Sequence, residues 1–249
     1  MSLTLRALSA ECVGLCALLA VGVAAHSDSP LIAAALHAQQ RTPPLPTIHL
    51  LYPAPEGSVF DRNCSELLKD APAIDRKLVE EAVRRAPEFQ RIWDKEGPAY
   101  LTATFEAIGL TFPFREMQAA LTVCPVPSMS LPLMINVRGF LASAGNPAPD
   151  SDFPRLVFHE LMHTYTRSVN VSSALRKKHA SEPPVTLNHL HVLALEKFVL
   201  TKLGRTAQLK ALDERYRTRA PATYKRAWEI VNDVESVDAF LAELKTAAR

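Results

Sequence analysis

Apolar residues recur with different periods along this chain, and the changes of period mark out its elements. From Ile48 to Tyr52 the run IHLLY is apolar and strand-like, and the turn-forming cluster PAPEG closes it. Between Ala73 and Lys95 the period becomes helical, with Ile74, Leu78, Ala82, Val83, Phe89 and Ile92 on one face and charges elsewhere. A separate helix is expected over Pro98–Ile108. The segment MQAALTVCPVPSMSLPLMINVRGFL reads as two strands broken by Pro125 and Pro127, the second over about Leu131–Phe140. After the loop ASAGNPAPDSD, Ser151 or Asp152 can cap a helix that tolerates Pro154 in its first turn and keeps its apolar pattern to about Val169. Helical spacing returns over Val185–Gly204. The tail from Ala207 to Arg249 reads as two or three helices, with Pro221 as a boundary and Trp228, Ile230, Val231, Phe240 and Leu241 as its apolar positions. This pattern predicts an α+β fold, mostly helical, with a small β-sheet.

The first residues need separate treatment. Arg6, the apolar run CVGLCALLAVGVAA and the small residues Val23-Ala24-Ala25 have the form of a secretory signal peptide over residues 1–25, with an uncleaved anchor as the rival reading. Residues 26–47 follow as a short helix over Leu31–Gln40 and a Pro-rich linker, so the compact domain is expected over 48–249. Export to a periplasmic or secreted location removes Cys12 and Cys16. It leaves Cys64 and Cys124 as an even pair, expected to bridge in an oxidising compartment. With 28 basic and 26 acidic residues well mixed, the chain lacks the basic concentration that nucleic acid requires, and no membrane contact is expected after signal cleavage.

The candidate chemistry lies in RLVFHELMHTYTR. At 3.6 residues per turn, His159 and His163 project from one face of their helix, one turn apart, close enough to share a small cation. Glu160 lies beside them, within reach of a water held by that cation.

This H-E-x-x-H helix, with Val157 before it and Leu161, Met162, Thr164 and Tyr165 around it, resembles the zincin metallopeptidases. The resemblance spans roughly Leu131 to Gly204 and implies a zincin-like fold in which an edge strand before the motif helix holds an extended peptide or protein substrate. LPLMINVRGF takes that place in chain order, with Met134, Asn136 and Arg138 facing outward if Leu133, Ile135 and Val137 face the core. Thr166 and Val169 stand where the three-histidine zincins carry a glycine and a histidine, which excludes that subclass. The chain is therefore similar to the gluzincins, whose third ligand is a glutamate on a later helix. Glu196, flanked by Val192, Leu193, Val199 and Leu200, is the expected third Zn2+ ligand, because a lone carboxylate on a buried face is costly unless paired or metal-bound. Glu182, His189 and His191 are its competitors. His179 falls in the basic, exposed-looking stretch RKKHA, and Leu200 stands where many gluzincins carry an aspartate.

Several roles follow from the resemblance. Glu160 becomes the general base for a zinc-activated water. His189, seven residues before Glu196 and so on nearly the same face, is a further ligand, a hydrogen-bonding partner or an oxyanion donor. Tyr216 and Tyr224 lie where some gluzincins carry an oxyanion-stabilising phenol, and Tyr224 is taken as catalytic with Glu160 and His189. The expected function is an exported zinc metallopeptidase. The alternative is a zincin-like module that has lost catalysis and binds or chaperones partners in the cell envelope. The basic stretch RYRTRAPATYKR is a solvated face or a contributor to selection of acidic substrates.

Overall fold

The computed structural model describes residues 44–53, 58–68, 73–112 and 114–247; the expected signal peptide and the helix expected over Leu31–Gln40 lie outside them. Thr47–Leu51 forms β1, in which Ile48 and Leu50 are buried and alternate with exposed positions. Two short helices follow, α1 (Val59–Arg62) and α2 (Cys64–Leu67), then the long α3 (Arg76–Ile108). α3 crosses over to β2 (Glu116–Thr122), which pairs in parallel with β1, as a helical crossover between adjacent strands requires. β3 (Met129–Ser130) and β4 (Leu133–Asn136) complete a mixed sheet of order β1-β2-β4-β3, with β4 parallel to β2 and β3 antiparallel to β4.

The helices expected over Ala73–Lys95 and Pro98–Ile108 are one 33-residue helix that runs through Pro87 and Pro98. Both prolines lie on its exposed face, where a carbonyl deprived of its donor can turn to water, while Phe89, Trp93, Tyr100, Leu101 and Phe105 continue the buried stripe opposite. Gly97 on that stripe is required by packing. A Cβ there would lie 2.6 Å from the Trp93 ring. The helix ends at Gly109, which adopts a left-handed φ of 81° and donates to the Phe105 carbonyl.

The strand region also differs from expectation. Three strands form where two were expected, and the edge belongs to β3, not to the run from Leu131 onward. β4 is interior: Met134 is fully buried, and Asn136 donates 2.9 Å to the Cys124 carbonyl and also bonds the Val126 carbonyl. Arg138 lies beyond the strand in a short 3-10 turn, its Nη1 3.4 Å from the Val123 carbonyl. An outward-facing row of Met134, Asn136 and Arg138 is therefore not formed. The carbonyls of the proline-bearing turn 124–128 need donors, and Asn136 supplies them.

Cys64 and Cys124 are joined in a disulfide with Cα atoms 5.6 Å apart. The same junction is held by the Asp61 carboxylate, which accepts from Thr122 Oγ1 (2.7 Å), Val123 N (2.8 Å) and Cys124 N (3.0 Å). It fixes α1 and α2 to the end of β2.

The remaining elements are helical: α4 (Phe153–Tyr165), α5 (Arg167–Ser172), α6 (Ala174–Lys178), α7 (Pro184–Lys202), α8 (Thr206–Thr218), α9 (Ala222–Glu229) and α10 (Val237–Ala247), with a π-helical turn at Ile230–Val234. The expected motif helix to Val169 is interrupted at Thr166, whose hydroxyl bonds the Met162 carbonyl at 2.9 Å. α3 and α4 run side by side through aromatic pairs, Phe89 on Phe153, Tyr100 on Phe158 and Phe105 on Tyr165, with centroids 4.7, 5.4 and 5.6 Å apart. α7 lies across α4 and is buried nearly all round, from Leu190 to Glu196 without a break. The tail packs as expected: Trp228, Ile230, Val231, Phe240 and Leu241 are all buried. No helix among the described residues is long and apolar enough to cross a membrane.

Candidate metal centre

Two helices build the site. On α4, Arg155, His159 and His163 repeat every four residues and form one stripe; on α7, His189 and Glu196 lie two turns apart on the facing side. The helices meet with opposite sense, so Arg155 faces Glu196, and His163 faces His189.

Nitrogen atoms of His159, His163 and His189 all lie within 4.8 Å of one another. His159 Nε2 and His163 Nε2 are 3.2 Å apart, close to the ~3.3 Å between two nitrogens that share a tetrahedral zinc ion at 2.0–2.1 Å. His189 directs Nδ1 to the Val185 carbonyl at 2.6 Å, which leaves Nε2 as its free donor atom. Burial, helped by the neighbouring His159 and His189, lowers His163 to about 3. Burial and His159 lower His189 to about 4. Both rings are neutral near pH 7, the state a metal ligand requires.

Glu196 does not join this group. Its carboxylate is 1% exposed and lies on the far side of the His159 ring: Oε1 accepts from Arg155 Nη1 at 2.9 Å and Oε2 from the Tyr216 hydroxyl at 3.2 Å. Oε2 is also 3.3 Å from His159 Nδ1, in ion-pair range though off the line of a well-aligned N–H···O bond. Burial alone would raise Glu196, but His159 and Arg155 outweigh it and hold it near 2. Burial likewise works against protonated His159, and the Glu196 anion overcomes it, leaving the ring raised. Nδ1 and Nε2 diverge across an imidazole, so a carboxylate at one is a partner of the ring and not a neighbour of a cation at the other.

The competing residues are occupied elsewhere. Glu182 accepts from Arg226 at 2.8 Å, and His191 bonds Glu243 at 2.7 Å inside the helical layer. His179 is buried, contrary to the exposed reading of its stretch, because Glu235 bonds it at 2.8 Å. Arg155 has a part that sequence analysis left unassigned. Its place four residues before His159 on an apolar helix was the available signal, since a buried guanidinium demands an anion.

Glu160 is 6% exposed and has no hydrogen bond or ion pair among the described residues. Burial raises it to about 6. It lines a cavity of about 580 Å³ with His163, His189, Tyr224 and the β3 residues Met129 and Ser130. The Tyr224 ring lies 4.1 Å from His189 and is stacked with Tyr216; burial, then Glu160 and Glu196, raise its phenol, which therefore keeps its proton. A more apolar trough of about 690 Å³, walled by Leu110, Phe114, Met117 and Leu133, adjoins this cavity through Ser130, Leu131 and Arg167.

The chain matches no protein-family model, no curated protein and no solved structure.

Proposed function

We propose that this chain is a zinc-dependent peptidase of zincin type whose metal ligands are His159, His163 and His189. In this reading Glu160 is the general base, and Glu196 with Arg155 orients His159. The carrying observation is the meeting of three imidazoles from two helices beside a buried carboxylate that has no hydrogen bond or ion pair among the described residues. An all-imidazole donor set suits zinc, and three protein ligands leave a position open for water, as in catalytic sites. Zinc bound there supplies Lewis acidity toward a carbonyl and brings the pKa of water toward neutrality. Glu160, raised to about 6, takes a proton from the water as its oxygen bonds to the carbonyl carbon. It then delivers that proton to the amide nitrogen as the C–N bond breaks. Tyr224, protonated and on the cavity wall, is placed to donate to the developing oxyanion. The cavity and its adjoining trough suit an extended chain, and the free edge of β3 offers backbone groups to it.

The test begins with zinc content and affinity of the purified protein, for which one tightly held ion per chain is expected. Glu160→Gln should keep that ion and lower peptide hydrolysis by roughly two to four orders of magnitude. A metal-free protein with no affinity for zinc would overturn the reading. Zinc retained without hydrolysis of any peptide would support the non-catalytic binding module instead.

A further inference from the structure

Positive charge outnumbers negative in the cavity beside the histidines. Arg167 of α5 and Arg176 of α6 both line it, and Glu160 is the only acidic side chain among its lining residues. Arg176 is half-buried. Its Nη1 donates to the Leu187 carbonyl at 2.9 Å and to Asn188 Oδ1 at 3.1 Å, both neutral acceptors, so its charge is left unbalanced. Among the described residues neither Arg167 nor Arg176 forms an ion pair.

Several other arginines of the molecule are paired with acids. In the basic stretch of α8 and α9, Arg217 pairs with Asp213 and Asp233, Arg219 with Glu214, and Arg226 with Glu182 and Glu229. Those three arginines are neutralised by their own neighbours, while Arg215 and Lys225 of the same stretch form no ion pair among the described residues. On α3, Arg85 is matched by Glu88 and Asp150. The two cleft arginines lack such matching. Burial without a compensating anion lowers Arg176 from its ordinary value, so the cleft holds a cation at a cost that an arriving anion would relieve.

We propose that Arg167 and Arg176 form an anion-binding subsite of this cleft, which selects substrates carrying a carboxylate near the bond to be cut. The inference rests on the peptidase reading above and names its substrate class. A guanidinium presents a planar fork that matches a carboxylate, and Arg176 is already restrained by two hydrogen bonds, so little freedom remains to be lost when the ligand docks. The carboxylate has two sources, a free C-terminus or an aspartate or glutamate side chain.

Three peptide hydroxamates of equal length distinguish them by binding to the zinc-loaded protein, without turnover. One ends in a free carboxylate, one in a carboxamide preceded by glutamate, and one in a carboxamide preceded by glutamine. One of the two acidic ligands should bind about tenfold or more tightly than the glutamine ligand, and which one identifies the source. Arg176→Gln should erase that preference while the glutamine ligand binds as before. Arg176→Lys, which keeps the charge without the fork, should restore part of it. Arg167→Gln alters an exposed side chain, does not threaten folding, and should reduce the preference by a smaller factor. Equal binding of all three hydroxamates overturns the subsite and leaves the metal site standing. Failure to take up zinc overturns both.

Discussion

The sharpest prediction concerns Glu196, the residue whose role separates a ligand from a partner of a ligand. Glu196→Gln conserves shape and removes one charge from a buried pair whose side chains are 9% and 0% exposed. At 2.9 Å and an effective dielectric of about 20, the attraction to Arg155 is about 6 kcal/mol before desolvation is charged against it. Because the substitution strands a buried guanidinium, the zinc-free protein should lose roughly 3–5 kcal/mol. For a chain of this size that corresponds to a Tm lower by roughly 6–20 °C. Zinc affinity should fall about 10- to 100-fold, since His159 loses the carboxylate that orients it and raises its basicity. Arg155→Met combined with Glu196→Gln should recover much of the stability and none of the zinc affinity. Calorimetry of the zinc-free proteins and chelator competition at fixed pH give the two quantities separately. His189→Ala is the reference: removing a ligand should cost far more affinity than removing its neighbour's partner. If Glu196→Gln abolished zinc binding while His189→Ala left it intact, the three-histidine assignment would be refuted.

Other elements make independent predictions. Gly97→Ala places a methyl group against the Trp93 ring at 2.6 Å, and overpacking of about 1–3 kcal/mol should outweigh the gain in helix propensity, so chemical denaturation should show a less stable protein. Cys64→Ser with Cys124→Ser opens a loop of 60 residues, for which chain entropy gives about 4 kcal/mol; an unchanged denaturation midpoint would contradict that account. Glu81 is buried, which works to raise it, yet bonds from Ser143 and from the Ala142 amide outweigh burial and hold it below its ordinary value of 4.5. Its contribution to stability is complete above that value and is lost as pH falls through the lower folded-state value. Tm should therefore drop less steeply below pH 4.5 in Glu81→Gln than in the wild type, and parallel curves would refute the assignment.

What the sequence disclosed depended on how local the deciding interaction was. His159 and His163 follow from helical spacing alone, and the bridge between Cys64 and Cys124 from the count of remaining thiols. The third histidine was not decidable in this way. His189 and Glu196 share a face of one buried helix, and which of them meets His159 Nε2 depends on how far α7 slides along α4, a matter of packing between distant segments. The buried-carboxylate argument was sound in requiring a partner for Glu196, but Arg155 supplied it. Pro98 misled for a related reason: a proline breaks a helix only where its lost hydrogen bond cannot be made good, and that depends on which side faces water. The edge strand was displaced by two residues of pairing at Met129–Ser130, too short a run to announce itself by pattern.

The division of labour between α4, α7 and the connection from Thr166 to Pro183 has a consequence for engineering. The imidazoles and their acid sit on two rigid rods, whereas Arg167, Asn170 and Arg176 lie on the intervening bridge. That bridge can be treated as an exchangeable cassette. Grafting a different one between the same rods should alter what the cleft accepts while the three-histidine group and Glu160 stay in place.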